Sequence, residues 1–203
     1  MCKIKNVLLW IILTVVAVSV GGCGYSGLVS NIKKGHSLEK IESLEEGLII
    51  GRIQIFRDDK PMEMGGAVRP WVTELKFGSS DENMYRHFMQ GDGYFYLSLK
   101  RGSYQMVQMG NGEYFVNSTK FTIVPLRTIF EVEPGKIIYI GTLRVDLMAG
   151  GNLRRKIDDE SGMAVREFRR LFPNISQDIE LNLMRFMRLM ESESNEPWLE
   201  RWM

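Results

Sequence analysis

Apolar and polar side chains alternate every second residue over a long stretch of this chain, starting at Gly47. In the segment 48–56, apolar residues occupy one face, whereas Arg52 and Gln54 occupy the other. A period of two is typical of a half-buried β-strand, because successive side chains of a strand point to opposite faces. Similar segments recur up to residue 147, separated by turn residues and without a helix-length segment between them. The pattern predicts a mainly β sandwich and disfavours a parallel α/β sheet.

The sequence predicts seven or eight short strands between residues 47 and 147. They are Leu48–Phe56, Trp71–Phe77, Tyr94–Leu99, Gly102–Met109, Tyr114–Asn117, Lys120–Val124, Thr128–Glu133 and Lys136–Leu147. Asn111-Gly112, which lies between two of them, is a strong signal for a tight hairpin turn. We therefore expect neighbouring strands to run antiparallel.

The C-terminal region, residues 148–203, changes to the period of a helix. Asp158–Phe172 has acidic residues in its first turn and arginines in its last, and Pro173 follows it directly. Ser176 is a suitable N-cap for a second helix that runs to Met190. We expect a two-helix appendage on the β-core. The side chains expected to make this contact are Phe168, Leu171, Phe172, Leu183 and Phe186.

The first residues have the composition of a targeting segment. Lys3 and Lys5 precede the uncharged run Val7–Val20, which is shorter than the ~20 residues of a membrane-spanning helix. A basic start, a short apolar run and small residues after it describe a secretory signal peptide. An uncleaved membrane anchor is the alternative.

Val20, Gly21, Gly22 and Cys23 together resemble the lipobox of bacterial lipoproteins. The resemblance implies transfer of diacylglycerol to the Cys23 thiol, cleavage before Cys23 and acylation of the new amine. An ordinary cleaved signal with a chance cysteine is the alternative. Gly24 stands where an aspartate would favour retention at the inner membrane. For a bacterium with two membranes, we expect the outer membrane, facing the periplasm.

These features divide the chain into four parts. They are a lipoprotein signal peptide (1–22), a lipidated N-terminus and tether (23–46), a β-sandwich domain (47–147) and a helical C-terminal region (148–203). The tether is predicted because its residues are polar and rich in glycine and serine. Its later half has the spacing of one or two helical turns.

Several motifs in residues 47–147 resemble those of a known domain family. They are Gly51-Arg52-Ile53 with the turn Asp58–Pro61, Asp92-Gly93-Tyr94-Phe95 with Leu97 and Leu99, and Gly102-Ser103-Tyr104. Together they resemble a carboxypeptidase-regulatory-like, or transthyretin-like, domain. Gly135–Gly141 is similar to a segment of uncharacterised bacterial lipoproteins of this kind. The resemblance implies a transthyretin-like or immunoglobulin-like antiparallel β-sandwich of seven to eight strands, which binds or spaces a partner and is not catalytic.

Charge and composition exclude several classes of function. The formal net charge of +1 removes the usual argument for a nucleic-acid-binding protein. Two cysteines and two histidines leave little material for a zinc site. His87 lies near Asp81 and Glu82, but a general base needs an orienting partner, so we expect a surface or loop histidine. We expect no catalytic residue, no cofactor and no metal.

Tyr94 and Tyr96 are the candidate partner-binding residues. At spacing i, i+2 they point to the same face of a strand, opposite Phe95. If Phe95 faces the core, the two tyrosines face outward and can stack on a sugar or a protein partner. Ordinary cross-strand packing of sheet tyrosines is the alternative.

A cluster of basic residues in the C-terminal region is interpreted as a solvated helix face, with anionic headgroups as the alternative contact. It consists of Arg154, Arg155, Lys156, Arg166, Arg169 and Arg170.

Taken together, these features predict a non-enzymatic binding or structural module of the cell envelope. The lipid on Cys23 would hold it at the membrane, and its partner would be an envelope protein or a glycan. A carbohydrate- or peptidoglycan-contacting module that uses Tyr94 and Tyr96 is the first alternative. A hydrolase of the envelope, with His87 beside two carboxylates, is the second.

Overall fold

A computed structural model describes residues 25–33, 39–62, 71–79, 84–89, 91–114, 119–187 and 199–202. The predicted signal peptide and lipobox, including Val20 and Cys23, lie outside these residues. Within them the chain is mainly β, with two sheets and one α-helix longer than a single turn. No helix in these ranges is long and apolar enough to cross a membrane.

The strands are numbered in chain order. They are β1 (Tyr25–Leu28), β2 (Glu46–Arg57), β3 (Lys60–Pro61), β4 (Trp71–Ser79), β5 (Met84–Met89), β6 (Tyr94–Lys100), β7 (Gly102–Tyr114), β8 (Thr119–Val132), β9 (Ile137–Leu147), β10 (Leu153–Asp158), β11 (Ile179–Leu181), β12 (Arg185–Phe186) and β13 (Leu199–Trp202). The helices are α1 (Glu39–Glu42), α2 (Ser161–Leu171) and a 3₁₀ turn (Ala149–Gly151).

The two sheets form an open, sandwich-like arrangement. Sheet 1 has the order β1-β5-β4-β7-β8, and β12 and β13 both pair with β8. Sheet 2 is built on the neighbours β2 and β9. The other edge of β9 pairs with β10 and β11, and the other edge of β2 pairs with β6 and β3. The prediction of a mainly β, two-sheet fold is confirmed.

The main core lies between the sheets and follows the predicted alternation. Ile49, Ile53 and Ile55 of β2 are buried in it, as is Phe95 of β6. Gly51 lies in the same row of β2. This position is a glycine because the Phe95 ring fills the space that a side chain would need: a Cβ on Gly51 would lie 2.3 Å from Phe95 Cζ. The glycine of the first motif is therefore a packing requirement.

The prediction that all neighbouring strands run antiparallel is wrong for three pairs. β2 runs parallel to β9, β1 to β5 and β11 to β9. Alternation of side chains determines the buried face of a strand but not its direction. Between β2 and β9 the chain passes through most of sheet 1, and such a long connection allows parallel neighbours.

The hairpin turn predicted at Asn111-Gly112 is not formed. β7 continues through these residues, with Asn111 paired to Thr73 of β4 on one side and to Thr122 of β8 on the other. Pairing on both sides therefore outweighs the local turn preference. The two strands predicted at Lys120–Val124 and Thr128–Glu133 are one strand, β8.

The N-terminal segment, residues 25–33, belongs to the fold. It starts as β1 on sheet 1, and the Ile32 N–H then donates to the Tyr96 carbonyl of sheet 2, with N···O of 2.9 Å. Ile41 in α1 is fully buried. A flexible tether over 23–46 is therefore not found in the described residues, because the edges of β5 and β6 bind the polar N-terminal segment through its backbone.

The predicted two-helix appendage is also corrected. The first predicted helix is confirmed as α2, but the second, from Ser176 to Met190, is wrong because residues 179–181 and 185–186 form β11 and β12. This stretch crosses from β9 of sheet 2 to β8 of sheet 1. Phe186, expected in the core, is partly exposed beneath the Arg155 guanidinium. Residues after 147 thus complete both sheets.

Candidate functional site

The outer face of sheet 2 is divided into a covered part and an open part. α2 covers the part formed by the first halves of β2 and β9, where its Ala164 and Phe168 are buried. The sheet residues under the helix include Leu48, Ile50, Tyr94, Tyr96, Ile137 and Tyr139. The face that alternation predicts to be outward is therefore a second core here.

Tyr94 and Tyr96 lie in the covered part. They share the face opposite Phe95, as predicted, and their rings stack with centroids 6.3 Å apart. The expected exposure is wrong: only 8% of Tyr94 and 5% of Tyr96 is accessible, because α2 packs on them. The Tyr96 ring contacts Phe168 at 5.8 Å and Phe172 at 5.4 Å between centroids. Neither ring is free to stack on a sugar.

A polar cluster holds the start of α2 against sheet 2. The Glu160 carboxylate, directly before the helix, lies 3.2 Å from Arg52 Nη1 and accepts a hydrogen bond of 2.8 Å from the Thr142 hydroxyl. The Glu160 N–H donates to the Tyr139 hydroxyl at 3.2 Å. Burial raises the pKa of Tyr139 above its usual value, so the phenol stays protonated. The cluster satisfies its own charges and acts as a clamp.

Arg52 connects this clamp to the covered tyrosines. Its guanidinium lies 4.7 Å from the centre of the Tyr94 ring, and its Nε donates to the Asp92 carbonyl at 3.0 Å. Burial raises the pKa of Tyr94 and, more strongly, that of Tyr96, so both phenols are neutral at physiological pH. These side chains fix the helix on the sheet instead of presenting a reactive group.

The open part of the outer face lies beyond the start of α2, on the second halves of β2 and β9 and on β10, which runs antiparallel to β9. We call it the arginine face and define it by Phe56, Arg144, Asp146, Arg154 and Lys156. Strand register places Phe56, Asp146 and Arg154 in one row across the sheet, and Arg144 beside Lys156 in the next. Residues two apart on a strand share a face, so these side chains all point outward.

A buried carboxylate organises the arginine face. Asp146 accepts hydrogen bonds from Arg144 Nε at 2.9 Å and from Arg154 Nε at 3.1 Å. The Arg144 guanidinium also lies 4.1 Å from the centre of the Phe56 ring. Two planar guanidinium groups are thereby held in position while 64% of the Arg154 side chain stays exposed. Such groups match the geometry of carboxylates and phosphates.

The predicted basic cluster is split between two places. Arg154 and Lys156 lie on β10, whereas Arg170 lies on α2 and pairs with Glu167. Arg169 donates to the backbone carbonyls of Ile175 and Gln177. The sequence signal that could have found the arginine face is the spacing of two between Arg144 and Asp146 and between Arg154 and Lys156.

His87 is neither on the surface nor in a loop, so that expectation is wrong. It lies buried on β5, facing the main core, and its Nδ1 donates to the Val29 carbonyl at 2.8 Å. Burial lowers the pKa of His87, against the opposing effect of this hydrogen bond. No partner among the described residues lies within reach of its Nε2. His87 thus fastens the N-terminal segment to sheet 1.

Comparisons with known proteins give no match: no family model, no curated protein and no solved structure matches this chain. The resemblance of residues 47–147 to carboxypeptidase-regulatory-like domains therefore stays a prediction. Among the residues that the structure describes, no group of three or more His, Cys, Asp or Glu side chains could hold a metal ion.

Proposed function

We propose that this protein is a bacterial lipoprotein whose β-sandwich domain is a non-enzymatic binding or structural module of the cell envelope. The observation that carries the proposal is the sequence Val20-Gly21-Gly22-Cys23 behind a basic and then apolar segment. One acyl chain binds a membrane only marginally, whereas two or more anchor a protein stably. A lipidated Cys23 would therefore suffice as the anchor.

The anchor is tested by replacing the two cysteines one at a time. Cys23→Ser is expected to abolish incorporation of labelled palmitate and to leave the signal segment uncleaved. Cys2→Ser is the matched control, because it removes the other cysteine of the chain without touching the lipobox. Equal labelling of both variants, or a mature protein that still contains residues 1–22, contradicts the proposal. Density separation of membranes tests the proposed outer-membrane location.

The polar groups of the domain support a non-enzymatic role. Glu160 is occupied by Arg52 and Thr142, which hold α2 in place. His87, the candidate general base, is occupied at Nδ1 by a backbone carbonyl and is buried among core side chains. A general base must reach the proton that it abstracts. The alternative of a hydrolase therefore loses its main residue, and the alternative of sugar stacking loses Tyr94 and Tyr96.

The arginine face is the surface that we propose for the partner, an envelope protein with exposed carboxylates. Its three cations, Arg144, Arg154 and Lys156, outnumber its two carboxylates: Asp146 is covered by the two arginines, and Asp158 pairs with Lys156. Charge-assisted hydrogen bonds to guanidinium groups are directional and about twice as strong as neutral ones. A glycan partner is the competing possibility.

Two variants with matched exposure test this surface. Arg154 and Arg170 are 64% and 68% exposed, and each forms an ion pair. Arg154→Gln is expected to remove most protein adducts formed by crosslinking in intact cells, whereas Arg170→Gln keeps them. The assignment is contradicted if both variants lose the adducts equally or if both keep them. It is also contradicted if glycosidases remove the adducts and proteases do not, because the partner is then a glycan.

A further inference from the structure

We propose that one end of the sandwich, the lower end, rests on the bilayer surface and that the arginine face is held away from it. The lower end is where β1 begins, and it carries Leu44, Lys100, Arg101 and Lys136. The inference rests on the proposed lipid at Cys23 and adds the orientation of the domain. It follows from the position of β1, which leaves almost no chain between the lipid and the fold.

Gly24 is the single residue between Cys23 and the first residue of β1. A fully extended chain spans at most about 3.6 Å per residue, so the Cα atoms of Cys23 and Tyr25 lie within about 7 Å of each other. β1 pairs with β5 at Tyr25, Gly27 and Leu28, with an irregularity between the first two, and the Val29 N–H and carbonyl that follow bond to sheet 1. The start of β1 is therefore held close to the headgroups.

Strand register shows which end of the molecule this is. Tyr25 is opposite Met84, the first residue of β5. β7 begins at the same end of sheet 1, immediately after β6 has ended with Lys100 in sheet 2. The turn between β8 and β9 also lies there, because the Gly135 N–H donates to the Glu46 carbonyl opposite Lys100.

The lower end carries an exposed apolar side chain and basic side chains, together with the carboxylates of Glu45, Glu133 and Glu180. Leu44, with a φ of 61°, is 67% exposed and lies against Gly135 of the β8–β9 turn. Lys100, the last residue of β6, and Arg101, which follows it, are exposed at the same end. Lys136 Nζ lies between the carboxylates of Glu133 and Glu180, at 2.7 Å and 2.9 Å. Leu44 can insert among the headgroups, whereas the charges of this end are mixed, so the orientation rests on the short link between Cys23 and β1.

The opposite, upper end is far from the anchor. Asp58 and Asp59 form the exposed turn between β2 and β3 there. β9 runs from the lower to the upper end over 11 residues, which at ~3.3 Å per residue is about 35 Å. Arg144 lies seven residues into that distance, about 23 Å up. The arginine face would therefore be free for a partner.

The experiment compares a label at each end of the full lipidated protein. Leu44→Cys at the lower end and Met148→Cys at the upper end replace two exposed apolar residues. Each protein is labelled with a fluorophore and reconstituted into phosphatidylethanolamine–phosphatidylglycerol vesicles that contain nitroxide-headgroup lipid. Acylated Cys23 does not compete for the label. We expect at least threefold stronger quenching at position 44 than at position 148.

A second pair of variants keeps the test decisive. Ten glycine and serine residues inserted between Gly24 and Tyr25 should remove most of the difference without releasing the protein from vesicles. Lys100→Cys provides another label at the lower end if Leu44→Cys does not fold. Equal quenching at both ends of a vesicle-bound protein overturns the orientation alone. A protein that does not float with vesicles overturns the lipid anchor, and the orientation with it.

Discussion

Replacing Phe168 with alanine tests the packing of α2 on sheet 2, which decides the architecture of the outer face. The Phe168 side chain is fully buried, with its ring centre 5.8 Å from that of Tyr96 and 5.0 Å from that of Phe172. Alanine leaves a cavity between the helix and the sheet. It also removes two aromatic contacts, each worth about 0.5–1.5 kcal/mol beyond area burial.

The expected loss of stability follows from the truncation of a fully buried aromatic ring. Truncation of a buried phenylalanine to alanine costs about 3–5 kcal/mol. In a domain of this size, 1 kcal/mol lowers the melting temperature by about 2–4 °C. The Phe168→Ala variant should therefore melt roughly 6–20 °C below the parent. The cavity is confined to the contact between α2 and sheet 2, so the far-ultraviolet circular dichroism of the folded variant should match that of the parent.

The assay is thermal unfolding of a chain that begins at Gly24, monitored by circular dichroism. Met163→Ala is the matched control, because Met163 lies on the same helix and is 45% exposed. A surface substitution of this kind changes stability by about 0.5 kcal/mol or less. Equal melting shifts for the two variants would refute the reasoning and would mean that α2 does not seal the outer face.

Two further predictions concern the N-terminal segment. A chain that begins at Gly47 loses buried Ile32 and Ile41, at about 1.5–3 kcal/mol each, and should unfold at least 6 °C below one that begins at Gly24; equal melting temperatures would mean a detached segment. Burial lowers the pKa of His87 in the folded state, so its contribution to stability is complete above the unfolded value of 6.5 and is lost as the pH falls below it. Urea unfolding between pH 7 and 5 should therefore depend less on pH in His87→Gln, and parallel profiles would contradict this.

The alternation of apolar and polar residues correctly predicted which face of a strand is buried, but it did not predict which strands are neighbours or in which direction they run. The alternation in 48–56 located the core side of β2 because that signal is carried by the strand itself. Direction and neighbours depend on segments far away in sequence, as the parallel pair β2 and β9 shows. α2 was predictable because its start and stop signals are local, whereas the apolar residues of 179–187 satisfy helical spacing without forming a helix.

The candidate site shows the same limit at the level of single side chains. Alternation correctly places Tyr94 and Tyr96 opposite Phe95, but it cannot say what covers that face. The cover is α2, whose Phe168 comes much later in the chain. The burial of His87 could not be predicted because its strand was not recognised in the sequence. β5 has no clear alternation of apolar and polar residues, and its partner β1 lies in a polar segment.

The length of free chain after a lipid on Cys23 would determine what the proposed module can reach. A flexible tether over residues 25–46 would have a root-mean-square span of about 25 Å, at 5–6 Å times the square root of its 22 residues. The domain could then approach a partner from many directions. Because β1 begins at Tyr25, a lipid on Cys23 would instead fix the height of the arginine face above the bilayer. Binding would then favour partners whose carboxylates lie at that height, so geometry would contribute to specificity together with charge.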